Sequence, residues 1–247
     1  EKSITYENGA DVVFKEVWKD NSAFLSSTAN YEADENLELT YTEPDYTRFE
    51  SLPETVSVAR VFRSEVNAAT EAMGSDSLKV SLMAIDTKEF GETINFEDRL
   101  LPEHINTYLN VLGANKDSVL LSMNFHDLYG YKVGDKITYS NEEGARLEAV
   151  VYGFVDYWPG YNKESYSIGE DGTLVKNDEH LIIANIAKIQ EEWGITPYQL
   201  WIKTNGSSQY LYDYIEENDI QFTEFYDSAQ EKVEMRNNTL FQGTNGI

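Results

Sequence analysis

Three histidines, 44 carboxylates and no cysteine set the chemistry this chain can attempt. The histidines are His104, His126 and His180, and no two have the helical HExxH spacing that brings imidazoles onto one metal. Asp127 follows His126, and Asp178 and Glu179 precede His180. A carboxylate beside an imidazole can orient a general base or a metal ligand. With 44 acids in 247 residues, such adjacency also arises by chance, on a solvated surface or at a helix cap. A ligand set needs further convergent groups. We therefore assign no catalytic residue, no metal ligand and no cofactor.

Other signatures are missing or partial. Without Cys there are no disulfides, thiolate zinc sites, iron–sulfur clusters or thiol nucleophiles. There is no GxSxG elbow for a serine nucleophile, and no GxxxxGK[ST] or GxGxxG loop for a nucleotide phosphate. Glu170-Asp171-Gly172 resembles part of a calcium loop but lacks its spacing, and Asp-Gly is more commonly a hairpin turn. Gly134-Asp135 reads as a turn in the same way. A pair of carboxylates for glycoside hydrolysis stays open, because their separation is set in three dimensions. One loop is conspicuous: Asp156-Tyr157-Trp158-Pro159-Gly160-Tyr161. Aromatic faces can stack on sugars or anchor a partner, so Tyr157, Trp158 and Tyr161 are candidate partner or ligand contacts. The alternative is a turn whose rings fold back onto the sheet edge. Asn205-Gly206-Ser207 and Asn237-Asn238-Thr239 match the glycosylation triplet, which carries meaning only in a host that glycosylates.

Charge narrows the class of partner. Nineteen Lys and Arg against 44 Asp and Glu leave a formal charge of −25, which repels phosphate backbones and anionic lipid surfaces. Nucleic acid is excluded as a partner on this ground. No run of about 18 apolar residues is present to span a bilayer. Hydrophobic residues at 41% and aromatics at 13% are too many for an acidic disordered tail. A chain of this size can bury roughly 70–75% of its unfolded surface. The opening at Glu1, without Met or an apolar leader, reads as an excised segment. The apolar turn of 237–247 (NNTLFQGTNGI) reads as the approach to something further.

The elements that must position these groups follow from periodicity. Period-two alternation predicts strands over 10–18, 55–62, 78–85, 146–157, 198–203 and 220–225. In 146–157 the alternation puts Leu147, Ala149, Val151, Val155 and Tyr157 on one face, with a bulge or bend at Gly153. Helices are predicted from Pro44 to 52, over 102–112 with Gly113 as its stop, over 207–217, and over 227–240 behind overlapping capping boxes. Residues 21–36 read as a long surface loop. Strand, helix, strand opens the chain and recurs in its last fifth. This predicts an α+β fold in which 1–66 and 197–247 form a split β-α-β lobe and 67–196 an inserted second lobe of mixed α/β structure.

Several segments in order also resemble a known family. They are NGADVVFKEVW (8–18), YTEPDYTRFESLP (41–53), LPETVSVARVF (52–62) and VSLMAIDTKEF (80–90), then SVLLS and LYGYKVGDKITYS within 118–140, AVVYGFVDYWPGY (149–161) and PYQLWIKT (197–204). The set is similar to the extracellular domain of FtsX-like ABC-transporter permeases, related to the MacB periplasmic core. The likeness covers most of the chain, from about residue 8 to the end. It implies a porter-like lobe carrying an inserted lobe, held outside the membrane between transmembrane helices of the same permease. It also implies ATP hydrolysis on a separate cytoplasmic ATPase subunit, and a non-catalytic role in passing membrane-helix movement to an extracellular cargo or protein partner. The expected place is the extracytoplasmic face of the cell membrane. Two other readings come from the residues: a stand-alone glycan- or peptide-binding module built on Tyr157–Tyr161, and an acid-based hydrolase.

Overall fold

The computed structural model describes residues 9–28, 38–70 and 77–230. The chain enters through β1 (Val12–Glu16), passes β2 (Lys19–Asp20), helix α1 (Ser22–Thr28) and β3 (Tyr41–Thr42), and makes one helical turn, α2 (Thr47–Glu50). Next come β4 (Thr55–Ala69), β5 (Ser77–Ile85), α3 (Thr87–Thr93), a 3₁₀ turn at Asp98–Leu100 and α4 (Ile105–Ala114). Then follow β6 (Ser118–Ser122), α5 (Asn124–Tyr129), β7 (Lys136–Ser140), β8 (Arg146–Val155), β9 (Glu164–Ile168) and β10 (Leu174–Asp178). The last elements are β11 (Leu181–Asn185), α6 (Ile186–Trp193), β12 (Gln199–Thr204), α7 (Gln209–Glu217) and β13 (Phe222–Asp227).

Nine strands form one mixed sheet in the order β13-β1-β12-β4-β5-β11-β6-β8-β7. Its first four come from the two ends of the chain and are antiparallel throughout. Counted along the chain, they lie fourth, first, third, second, with α2 in the connection from the first to the second and α7 in that from the third to the fourth. This is the split β-α-β arrangement. Everything from 70 to 198 is inserted between its second and third strands. There β7 pairs back onto β4 through Asn67↔Ser140, Ala68↔Tyr139 and Ala69↔Thr138, closing β4-β5-β11-β6-β8-β7 into a ring. Closure satisfies edges that would otherwise invite pairing with another chain.

The pleat sorts side chains into three clusters. Val66, Ala68, Val80, Leu82, Ala84, Val119, Leu121 and Tyr139 pack together between the strands of the ring. Val12, Phe14, Val58, Leu200 and Ile202 pack under α2 and α7 with Phe49, Leu211 and Ile215. The third cluster joins both parts of the chain: Val13, Ala59, Val61 and Trp201 meet Met83, Ile85, Phe90, Leu109 and Ile183. Arg60 also ties the two parts, donating from Nε and Nη2 to Asp86 at 2.8 and 2.7 Å, between the rings of Tyr46 and Tyr198. Burial alone would disfavour the guanidinium charge, but the hydrogen bonds and field of Asp86 outweigh it and raise the pKa.

Several expectations change. Pro44 does not open a helix; α2 spans only Thr47–Glu50, after an Asp45 carboxylate that accepts from Thr47 N at 3.1 Å. The 21–36 loop contains helix α1 over Ser22–Thr28, and 29–36 lies outside the described residues. Gly113 does not end its helix but lies inside α4, where a Cβ would sit 3.0 Å from Thr87 Oγ1. A Cβ on Gly91 of α3 would likewise sit 2.8 Å from Asn106 Oδ1, so the two helices approach each other through glycines. Asp227 both ends β13 and caps the helical turn that follows it, its carboxylate accepting from Ala229 N at 3.0 Å. Residues 228–230 are helical, and the rest of the helix predicted over 227–240 lies outside the described residues.

Candidate interaction surface

The histidines are placed first, since they could do chemistry. His104 caps α4, its Nδ1 accepting from Asn106 N at 3.1 Å, with Asp98 3.1 Å from its Nε2. His126 Nδ1 lies 2.7 Å from the Tyr131 carbonyl, which requires the proton on Nδ1. His180 is buried at 4% exposure against Phe125 and Tyr129, at 5.0 and 5.6 Å between centroids. Burial pushes its pKa below the ordinary value and outweighs the opposing fields of Asp178 and Glu179. Burial thus favours the neutral ring. Among the described residues, no three of His, Asp and Glu are grouped to hold a metal ion.

The aromatic loop divides. Trp158 is 1% exposed and stacks on Phe90 at 5.8 Å with a 9° interplanar angle. Tyr161 is buried too, donating its hydroxyl to the Glu179 carbonyl at 2.6 Å, and burial pushes its pKa up to about 12. Arg63 Nη2 donates to the Gly160 carbonyl at 2.7 Å and holds the turn down. Gly160 itself is at φ +77°, and a Cβ there would meet Trp201 at 2.9 Å. The rings fold back onto the sheet because the turn is pinned on both sides. Of the three candidate contacts only Tyr157, at 41%, reaches solvent, with Lys163 Nζ 4.2 Å from its ring centroid.

Beside this loop, a cleft of about 280 Å³ is lined by Tyr161, Lys163 and four carboxylates, those of Asp127, Asp156, Glu164 and Asp178. Lys163 Nζ pairs with Asp156 at 3.1 Å. The hydrogen bond from Lys176, at 2.7 Å, draws Glu164 below the usual carboxylate range. A glycosidase general acid needs the opposite shift.

One wall of the cleft continues into a hairpin. Strands β9 and β10 pair only with each other, from Leu174↔Ile168 at the tip to Asp178↔Glu164 at the base. The turn carries Gly172 at φ +78°, and Gly169 N donates to Thr173 O at 2.8 Å, as the Asp-Gly reading of 170–172 predicts. Apolar side chains stay in water there: Tyr166 at 60%, Ile168 at 78%, Leu174 at 71% and Val175 at 40%. Sequence reading missed this feature because ESYSI and LVKND are short and mostly polar. The usable signal was a turn motif flanked by β-branched and aromatic residues with no helix to cover them.

No family model matches the chain, and no curated protein does. Solved structures similar to it include the following two. The periplasmic region of MacB from Actinobacillus actinomycetemcomitans superposes with a TM-score of 0.49 at 12% identity, covering 96% of this chain and 97% of that one. The extracellular domain of the noncanonic ABC-type transporter YknZ from Gram-positive bacteria gives 0.45 at 10% identity, covering 88% and 100%. Both come from the class of protein that the ordered sequence segments resemble. At such identities no residue role transfers, so the roles of Tyr157, the cleft and the hairpin follow from this chain's own contacts.

The entry and exit of the described chain complete the geometry. Val12 at the start of β1 is the register partner of Asp227 at the end of β13, and Ser228 N donates to Asp11 O at 2.8 Å. Asp227 is buried and accepts from Tyr212 at 3.0 Å and from Ala229 N at 3.0 Å. Chain direction therefore enters and leaves at one anchored point. No helix among the described residues is long and apolar enough to cross a membrane.

Proposed function

We propose that the chain is a non-catalytic extracytoplasmic domain of an ABC-transporter permease. In this reading it relays ATP-driven movement of the permease's transmembrane helices to a cargo or protein partner outside the membrane. Residues 1–66 with 197–247 act as the tethered, porter-like part and 67–196 as the outer part. The ATP is hydrolysed by a separate cytoplasmic ATPase subunit. The observation that carries the reading is the side-by-side anchoring of entry and exit at Asp11 and Ser228, the geometry two neighbouring tethers require. The ordered segments described above supply the class of protein. The glycan-binding alternative loses its anchor, because Trp158 is occupied by Phe90.

Expressed in its native host with its natural flanking sequence, the protein should fractionate with the membrane. Protease added to cells stripped of any outer barrier should cut this domain, and affinity purification should bring an ATPase with it. A protein recovered from the soluble cytosolic fraction without an ATPase overturns the reading.

A further inference from the structure

Between the β9–β10 hairpin and β11 the chain has a two-residue root, Glu179 and His180, and hydrogen bonds tie it down on both sides. Glu179 N donates to Lys163 O at 2.8 Å and closes the base of the hairpin. The Glu179 carbonyl accepts from Tyr161 Oη at 2.6 Å and from Asn124 Nδ2 at 2.8 Å. His180 O accepts from Ser81 N at 2.9 Å, and Leu181 N donates to Ser122 Oγ at 2.9 Å. Because β9 and β10 pair with no other strand, this root and the 156–161 turn fasten the hairpin to the body. At the centre of the root sits an imidazole. The ring is 4% exposed against Phe125 and Tyr129 of α5, and its Nε2 is buried without a hydrogen-bond partner. An aliphatic side chain would fill the same space and leave no nitrogen unpaired, so packing alone does not account for a histidine there.

A proton on that nitrogen would bring a positive charge and an N–H into the pocket, and burying an unpaired ion is costly. Asp178 and Glu179 on the same segment favour the charge but do not outweigh burial. From α5 the titratable neighbour is the Tyr129 phenol, while Asp127 lines the cleft. Ser81 of β5 and Ser122 of β6, bonded to the root, carry no charge. Outside the pocket the balance reverses. Asp178, two residues before the ring, and Asp127 both line the cleft, and unlike Asp156 and Glu164 neither is matched to a lysine among the described residues. An imidazolium that leaves the pocket therefore meets water and free carboxylates. We propose that His180 is a proton-operated catch: its uncharged ring clamps the root of the hairpin onto α5, and in mildly acidic surroundings the protonated ring leaves the pocket and the root opens. The proposal deepens the proposed function by naming a regulation of its outer part. It rests on that reading only for the domain meeting the pH outside the cell.

The test is hydrogen exchange read by mass spectrometry on the 247-residue chain in solution, without membrane, so its failure leaves the permease reading standing. Opening frees a ring with the ordinary value of about 6.5, so a fall from pH 7.5 to 5.5 should multiply the opening equilibrium by up to about tenfold. After correction for the intrinsic exchange rate at each pH, the rise should be confined to peptides from 162–181, with β12 unchanged. His180→Leu, which keeps the pocket filled, should abolish it. In the same chain the imidazole Cε1–H signal of His180, assigned with His104→Gln and His126→Gln, should titrate below about 6.5. Should His180→Leu fail to fold, that titration and the regional pattern in the unsubstituted chain decide. A rise of less than about twofold, well short of the linkage expectation, overturns the proposal. So do a rise shared equally by β12, the same rise in His180→Leu, or a His180 signal that titrates at its ordinary value.

Discussion

Single residues decide which chemistry is open, and two of them make that visible. Trp158 fills the space between Phe90 and the sheet with 1% exposure, so its truncation removes stacking and leaves a cavity. Trp158→Ala should lower stability by about 3–5 kcal/mol in urea unfolding, the range for large aromatic deletions in a core. A surface ligand contact would instead give a change near zero. His180 gives the pH counterpart. Its folded pKa is depressed by burial, so below its ordinary value of about 6.5 the unfolded chain takes up a proton that the folded one refuses. Stability from the neutral ring is complete above that pH and is lost progressively as pH falls from there through the lower folded value. His180→Leu should therefore flatten the fall in melting temperature between pH 7.5 and 5.5. Parallel curves for the two proteins would show that His180 is not held neutral.

At the scale of elements, what could be read in advance followed from how local the determinants were. Strands such as 78–85 and 198–203 were legible because their alternation is regular and one face is buried; they appear as β5 and β12. The bulge at Gly153 was legible as well, since glycine in a strand marks a break. The pairing jumps there from Val119↔Val151 to Leu120↔Gly153. Its consequence was not legible. One extra residue flips the pleat, so Leu147, Ala149 and Val151 face the ring interior, while Val155 turns to the cluster of Trp158. The expected single face over 147–157 is therefore two faces. Strand β4 was underestimated by seven residues, 62 against 69, because its second half alternates with Arg63 and Glu65 in place of apolar outer residues. Its length depends on a distant partner, β7, which no local pattern announces. The site was the least legible part. The exposure of Tyr157 and the burial of Trp158 and Tyr161 depend on Arg63 reaching Gly160 across 97 residues.

At the scale of the molecule, the length of β4 constrains how force could pass through it. Its first half pairs with β12 from Thr55 to Val61, and its second half pairs with β5 from Val61 to Ala69. Val61 is shared by both. One strand thus runs unbroken through the parts formed by the chain ends and by the insertion, and a common apolar cluster lies along it. Bending between the two parts would break ladder hydrogen bonds and open a packed core, and packed cores switch between discrete states instead of deforming continuously. Rotation imposed at the paired ends should therefore reach the hairpin as movement of a rigid body. The 247 residues contain no Cys, so thiols introduced within them do not compete with a native one there. Spin labels at Glu217→Cys on α7 and Lys116→Cys before β6 report across the two parts. On the permease reading proposed above, their distance distribution in the membrane-embedded protein should stay the same with and without ATP, while a label at Thr173→Cys on the hairpin changes its distance to the membrane. A shift between the first two labels of more than about 5 Å, the size of a one-turn slide, would mean that the parts move against each other and that β4 is not the rod described here.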